Sequence, residues 1–188
     1  MPNVWFVGDT HFGHTNIITF LDDKGQLLRP FNSIKEHDER LVSEWNAVVR
    51  PADRVYHLGD VAMAKRCIAT VGRCVGRKVL LRGNHDIFKL HDYTPYFDDI
   101  RAYKVYPAHK LVVSHVPIHP QYLSGRFVAN AHGHAHAASL PDPRYINCCV
   151  ENTGWRPVAL EEVISLIPRR NAIECRLCRE KEIGDSKC

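Results

Sequence analysis

The sequence predicts an α/β protein with a single core, and three observations lead to this prediction. Short apolar runs at residues 4–7, 54–58 and 78–81 are typical of buried strands, and each ends in small and polar residues. Between the first two runs, residues 34–49 have the apolar spacing of a helix that packs on a sheet. The chain has 188 residues, which is near the size of one domain, so we expect one core and one active site.

The remaining elements follow from the same patterns. Ser33 and Glu36 form a capping box at the start of the 34–49 helix, and Pro51 closes it. The apolar face of this helix is expected in the core: Leu41, Val42, Trp45, Val48 and Val49. Further helices are expected at residues 15–21, 61–71 and 160–167. Further strands are expected at residues 101–106, 110–113, 127–131, 144–150 and 156–158, with the first two forming a hairpin.

The composition excludes several classes of protein. A hydrophobic fraction of 45% and a charged fraction of 24% are ordinary for globular domains and exclude disordered and fibrous chains. No apolar run approaches the roughly 20 residues of a membrane span, so no membrane partner is expected. The first residues lack the basic segment and long apolar stretch of a secretory signal. The formal net charge of +4 suits a phosphate-bearing substrate and does not require nucleic acid.

The cysteines indicate a reducing, cytoplasmic setting. Their number is seven, which is odd, and most are scattered, so a closed disulfide framework is not expected. We assign residues 1–168 to one domain and residues 169–188 to a polar C-terminal tail. The tail cysteines lack a second pair or nearby histidines, which favours a solvated tail over a zinc or redox site: Cys175, Cys178 and Cys188.

Five junctions between a strand and the following loop carry potential metal ligands. These are Asp9 with His11, Asp60, Asn84, His115, and His134 with His136. In α/β proteins ligands collect beyond the carboxyl ends of strands, so these groups can share one crevice. In extended backbone, the spacing of two between Asp9 and His11 would send both side chains to the same side. Taken alone, the stretch at residues 83–86 fits a turn equally well.

The types of ligand indicate two-metal hydrolysis. Two carboxylates, four imidazoles and one carboxamide can fill two cation sites if one carboxylate is shared, leaving positions for water and substrate. Two divalent ions, two carboxylates and a bridging hydroxide would leave a net charge of about +1, which favours a phosphate. Metal binding lowers the pKa of water from 15.7 to about 7, or on the order of 12 kcal/mol in proton affinity.

These motifs resemble those of the calcineurin-like metallophosphoesterases. That family carries Asp-x-His, Gly-Asp, Gly-Asn-His-Asp, a lone His and Gly-His-x-His, and all five occur here in family order across residues 9–136. The resemblance implies a four-layer αββα sandwich, two mixed β-sheets flanked by helices, with the metal site at the carboxyl ends of strands. It also implies the ligands of each metal: Asp9, His11 and His136 for the first, Asn84, His115 and His134 for the second, and Asp60 for both.

The resemblance further implies that His85 is the general acid at the leaving group. Its neighbour Asp86 either assists His85 or points elsewhere. His14 is an extra imidazole near the first motif, with either a substrate contact or a structural role. His119 is a candidate contact of the substrate in the cleft.

One departure from the family narrows the expected substrates. Members that act on phosphoproteins have an Asp and an Arg three and four residues after Gly-Asp, but Met63 and Ala64 occupy these positions here. A protein phosphatase of that subgroup is therefore not expected. His57 and His132 fall within predicted strands, and we interpret both as structural or as supporting the ligands.

The sequence therefore predicts a phosphoric ester hydrolase with two divalent metal ions, manganese foremost and iron, zinc or nickel as alternatives. The expected substrates are small phosphodiesters such as cyclic nucleotides, cleaved by metal-activated hydroxide. A phosphomonoesterase, a nuclease with the same site and a non-catalytic metal-binding module remain the alternatives. The oligomeric state does not follow from the sequence.

Overall fold

The computed structural model describes residues 2–168, and the predicted tail at 169–188 lies outside these residues. Nine strands are described: β1 (Val4–Val7), β2 (Arg54–His57), β3 (Arg77–Leu81), β4 (Asp99–Arg101), β5 (Tyr103–Tyr106), β6 (Leu111–Ser114), β7 (Ala129–His132), β8 (Tyr145–Asn147) and β9 (Val158–Ala159). The α-helices are α1 (Ile34–Val48), α2 (Leu90–Tyr93) and α3 (Leu160–Ser165). Short 3-10 helices lie at Thr15–Ile18, Lys65–Arg73, Pro107–His109, Pro120–Leu123 and Val150–Asn152.

The strands form two mixed sheets, which confirms the predicted α/β sandwich with flanking helices. The first sheet has the order β4-β3-β2-β1-β9, in which β1 to β4 are parallel and β9 is antiparallel. The second has the order β5-β6-β7-β8, in which β5 and β6 form the predicted antiparallel hairpin and β6 to β8 are parallel.

Two apolar clusters hold the layers together. One lies between the sheets, where Phe6 and Leu81 of the first sheet join Val113 and Ala131 of the second, all at most 1% exposed. The other lies on the opposite face of the first sheet, which α1 and the 3-10 helix Lys65–Arg73 cover. The first sheet is therefore buried on both faces, as its nearly continuous apolar strands require.

Helix α1 ends one residue before its predicted limit. Ser33 accepts a hydrogen bond from the Glu36 amide at 3.1 Å, but the Glu36 carboxylate accepts from the Asn32 amide instead. Only half of the predicted capping box therefore forms. Leu41, Val42 and Trp45 lie in the core, as their spacing predicts.

The helix predicted at 61–71 is wrong for its first four residues. Residues 61–64 form a loop and a 3-10 helix begins at Lys65. The backbone of Val61 is used elsewhere, because its amide donates to Asp86 and its carbonyl accepts from the Phe12 amide. These bonds join residues 61–64 to neighbouring loops, so the Val61 carbonyl does not accept the hydrogen bond that a helix would need.

The strand predicted at 101–106 is divided, because Arg101 ends β4 in the first sheet whereas Tyr103–Tyr106 form β5 in the second. The remaining elements differ mainly in extent. The helix predicted at 15–21 is the 3-10 helix Thr15–Ile18, and the unassigned segment 87–99 contains α2. Within residues 2–168, no helix combines the length and apolar composition that crossing a bilayer would require.

Candidate metal centre

All seven predicted metal ligands follow the carboxyl ends of parallel strands. Three of these strands belong to the first sheet and two to the second, so the site lies where the two sheets meet. The ligands follow the strands in this order: Asp9 and His11 after β1, Asp60 after β2, Asn84 after β3, His115 after β6, and His134 and His136 after β7.

The structure gathers six of these residues into two clusters. Asp9, His11 and His136 each place one ligand atom within 4.8 Å of the others, and we call this set the first cluster. Asp60, His115 and His134 do the same and form the second cluster. Such spacing would allow one ion to contact three protein atoms in either cluster.

Asp60 and Asn84 define how the two clusters relate. The Asp60 Oδ2 atom lies 3.7 Å from His11 Nε2 and 3.6 Å from His115 Nε2. A single carboxylate oxygen thus faces a ligand of each cluster. The Asn84 Oδ1 atom lies 2.7 Å from His115 Nε2, so the carboxamide belongs beside the second cluster.

The ligand loops use left-handed backbone. The positive-φ residues in the described chain other than glycine include Asp9, His11, Asp60, His134 and His136, all with φ between 48° and 67°. Extended backbone therefore does not bring Asp9 and His11 together, and that prediction is wrong. Residues other than glycine rarely adopt this left-handed backbone conformation outside functional sites, because it costs of order 1–3 kcal/mol for each residue.

Close packing explains the glycines in the motifs. A Cβ atom on Gly59 would lie 2.6 Å from the Gly83 amide nitrogen, and Gly59 has a φ of +95°. A Cβ atom on Gly83 would collide with the Asp60 carboxylate. Only glycine lets the loops after β2 and β3 approach this closely.

Hydrogen bonds aim the ligand atoms into the centre. The Nδ1 atom of His115 lies 2.7 Å from the Leu58 carbonyl oxygen, and because a carbonyl only accepts, Nδ1 carries the proton. The Nδ1 atom of His136 lies 2.9 Å from Glu151 Oε1. In His136 this bond leaves Nε2 free to bind a cation. In His115 the Nε2 atom faces Asn84 Oδ1, which is predicted to bind the same cation.

Buried atoms without partners test whether a cation fits. Asp9 Oδ2 accepts from the His134 amide at 2.8 Å and from the Cys149 thiol at 3.2 Å. Asp9 Oδ1 and both ring nitrogens of His11 have no hydrogen-bond partner among the described residues. Buried polar atoms are normally satisfied, so these orphaned atoms match the donor set of a metal ion.

Burial shifts the pKa values of the ligands. It raises the pKa of Asp9 to about 6, despite the opposing effect of His115 and His136. Burial and the Arg29 charge hold the pKa of His11 well below its ordinary value, so its ring is neutral. At neutral pH both groups are therefore in the forms that bind metals.

The predicted general acid and its neighbour have different environments. His85 is exposed, and its ring centroid lies 5.7 Å from that of His11. Its amide donates to Asp60 Oδ1 at 2.9 Å, which fixes His85 at the rim of the centre. Asp86 is 1% exposed and accepts from the Asp60, Val61 and Gly83 amides. Asp86 thus points away from His85 and joins two loops.

The two predicted substrate contacts lie in different places. The His14 ring centroid is 5.9 Å from that of His11 and 5.7 Å from that of exposed Phe20, beside the first cluster. His119 is exposed and caps the 3-10 helix Pro120–Leu123 through its Nδ1 atom.

The two buried strand histidines are held by hydrogen bonds. His57 Nε2 lies 2.9 Å from the Thr10 hydroxyl, and burial lowers the pKa of His57 to about 3. His132 Nδ1 lies 2.7 Å from the Gly133 carbonyl oxygen. Thr10 and Gly133 both belong to ligand loops, so each histidine supports one of these loops.

Sequence reasoning missed three residues around the first cluster: Arg29, Cys149 and Glu151. Glu151 binds His136, Cys149 binds Asp9, and Arg29 binds Glu151. Arg29 and Glu151 are 122 positions apart. No local pattern links residues at that separation, and Arg29 stands in a segment that is typical of a polar loop.

Comparisons with known proteins place the chain among relatives of undetermined function. A scan against models of protein families finds no match. The Gene 66 protein of Mycobacterium phage L5 is 29% identical over 121 residues, which cover 62% of this chain and 52% of the phage protein. A crystal structure titled as the protein of unknown function AQ665 from Aquifex aeolicus has a TM-score of 0.69 and 27% identity. It covers 89% of this chain and all of that one.

The uncharacterized protein MJ1445 of Methanocaldococcus jannaschii is similar over nearly its whole length. It is 31% identical over 186 residues, which cover 92% of this chain and 96% of MJ1445. Identity at this level over almost the full length of both chains indicates common ancestry and a shared fold. The chain therefore belongs to the same protein family as MJ1445.

Proposed function

We propose that the protein is a metal-dependent phosphoester hydrolase with two divalent ions, related to the calcineurin-like metallophosphoesterases that its motifs resemble. The position of Asp60 carries this proposal. One oxygen of its carboxylate lies within 3.7 Å of a ligand from each cluster. A carboxylate shared between two clusters is the arrangement expected of a two-metal site.

The donor set supports manganese as the first metal to test. Asp9, His11 and His136 would hold one ion, and Asn84, His115 and His134 the other, with Asp60 between them. Mixed nitrogen and oxygen ligands accept manganese, iron, zinc or nickel, and availability usually decides among these metals. When bound, the two ions would lower the pKa of water and balance the negative charge of a phosphate.

His85 supplies the acid in this proposal. It is exposed at the rim, and its amide is anchored to the carboxylate that faces both clusters. From this position its imidazole can donate a proton to the oxygen that leaves the phosphorus atom. His14 lies beside the first cluster and would contact the substrate.

The exposure of the rim supports a phosphodiester as the substrate. Asn84, His85 and His134 are all exposed, which leaves one side of the centre open. A diester carries two substituents on phosphorus, and an open side accepts both. Cyclic nucleotides and small aryl diesters are the first compounds to test. The four described cysteines are free thiols, which supports a cytoplasmic setting as part of the proposal.

The test is a kinetic comparison of matched diester and monoester substrates with manganese-loaded protein. We expect kcat/KM for the diester to be the larger value. If the monoester value exceeds it by more than about tenfold, equal to about 1.4 kcal/mol in transition-state binding, the diester preference is wrong. Two bound metal equivalents with no turnover of any phosphoester would instead indicate a non-catalytic metal-binding module.

A further inference from the structure

We propose that the buried pair of Arg29 and Glu151 positions the first cluster of Asp9, His11 and His136, and leaves the second cluster unaffected. This inference rests on the two metal sites of the proposed function, but not on catalysis. It assigns a site-selective role to two residues that sequence reasoning missed.

Glu151 acts on the first cluster through His136. Its Oε1 atom lies 2.9 Å from His136 Nδ1, while its side chain is only 3% exposed. A carboxylate at Nδ1 fixes the tautomer that leaves Nε2 free, and it also fixes the orientation of the ring. A neutral side chain at this position would hold the ring less firmly.

Arg29 acts on the loop that carries the other two ligands. Its guanidinium donates to the Asp9 carbonyl at 2.5 Å and to the Thr10 carbonyl at 3.0 Å. These two carbonyls belong to the backbone between Asp9 and His11, both of which have positive φ. The arginine thus stabilises a loop conformation that is otherwise costly.

All five guanidinium N–H groups of Arg29 have acceptors. Besides the two carbonyls, Nε and Nη2 donate to Glu151 Oε1 at 2.9 and 2.7 Å. Nη1 also lies 2.9 Å from His37 Nε2, and His37 in turn bonds Asp38. Lysine offers three donors on one nitrogen, so it could not satisfy this set.

Asp38, which is connected to Arg29 through His37, holds the ligand loop after β1 at a third point. Asp38 accepts from the Gly13 amide at 3.0 Å, two residues beyond His11. The ligand loop is therefore held at Asp9, Thr10 and Gly13 by groups connected through one buried arginine. Among the described residues, no hydrogen bond joins Arg29 or Glu151 to a residue of the second cluster.

Stability alone does not account for this pair. Arg29 and Glu151 are 0% and 3% exposed in their side chains, and burying such a pair costs about as much as their attraction returns. A well-packed apolar pair would stabilise the fold equally well. The positions of the acceptors, on a ligand ring and a ligand loop, point to alignment of the first cluster.

The experiment is a manganese titration of the Glu151→Gln variant, with the affinity of each site resolved by calorimetry. We expect one site to weaken by about 10–100-fold and the other to change by less than about threefold. Glu39→Gln is the matched control, because Glu39 also binds an arginine through two bonds but is 51% exposed. It should leave both sites unchanged. Equal weakening of both sites, or no weakening, would overturn the inference.

A second measurement covers the case in which Glu151→Gln does not fold. Nitrogen NMR of the metal-free wild-type protein at pH 9 reports which ring nitrogen of His136 carries the proton. We expect the proton on Nδ1, and a proton on Nε2 would overturn the inference. The results distinguish this proposal from the proposed function. Wild-type protein that binds two manganese ions without turnover contradicts only catalysis. Equal weakening of both manganese sites in Glu151→Gln contradicts only the role of Arg29 and Glu151.

Discussion

Replacing Asp86 with alanine should destabilise the fold by about 4 kcal/mol. Its carboxylate accepts three backbone amides at 2.8 to 3.0 Å, from Asp60, Val61 and Gly83. Hydrogen bonds to a charged group contribute about 1.5–3 kcal/mol each, or roughly 5–9 kcal/mol in total. Burial raises the pKa of Asp86, so the desolvation of its carboxylate offsets several kcal/mol of this gain.

A loss of about 4 kcal/mol would lower Tm by roughly 8–16 °C in a chain of this size. The assay is urea and thermal denaturation with a chelator present, so that metal loss makes no contribution. Asp98→Ala is the matched control, because Asp98 is 51% exposed and pairs with Arg77 on the surface. Its cost should be about 0–1 kcal/mol. If Asp86→Ala is no more destabilising than this control, the loop-joining role of Asp86 is wrong.

Three further predictions concern the metal centre. His85→Ala should lower kcat by roughly 10²–10⁴ on diesters with poor leaving groups and hardly at all on p-nitrophenyl diesters; equal losses would remove the general-acid role. Manganese affinity should fall at least about fivefold between pH 6 and pH 5, because Asp9, with a pKa of about 6, gains a proton that competes with the metal. The raised pKa of His136 acts in the same direction, and titrations that show no change over this range would contradict the assignment. Gly83→Ala should weaken manganese binding, because its Cβ atom would displace Asp60, and unchanged affinity would show that the loop can move aside.

The gathering of the seven predicted ligands could be anticipated because each follows the end of a largely buried strand. Val79 to Leu81 are buried and lead into Gly83 and Asn84, and the same pattern recurs at the other four junctions. Parallel strands end at one edge of a sheet, so these residues could be expected to share one crevice, whereas their division into two sets came from the family resemblance. The two clusters contain six of the seven residues that the resemblance names, and Asn84 lies beside the second cluster. Metal binding by these residues stays a prediction.

The surroundings of the ligands could not be predicted, because they depend on contacts between distant segments. Arg29 reaches Glu151 only after the whole domain has folded. The positive φ angles of Asp9 and His11 depend on acceptors that the local sequence does not contain. The sequence allows Asp86 either to assist His85 or to point elsewhere. Only the positions of the neighbouring amides decide between these two roles.

The metal stoichiometry of wild-type protein and of the Asp60→Asn variant shows whether Asp60 serves two metal sites. Because one oxygen of Asp60 faces both clusters, we expect two manganese equivalents in wild-type protein. In the variant, both sites should weaken together by at least about tenfold, whereas Glu151→Gln affects one site. Asp98→Asn serves as the control and should retain two equivalents. Two equivalents bound with unchanged affinity in Asp60→Asn would show that Asp60 is not shared between two metal sites.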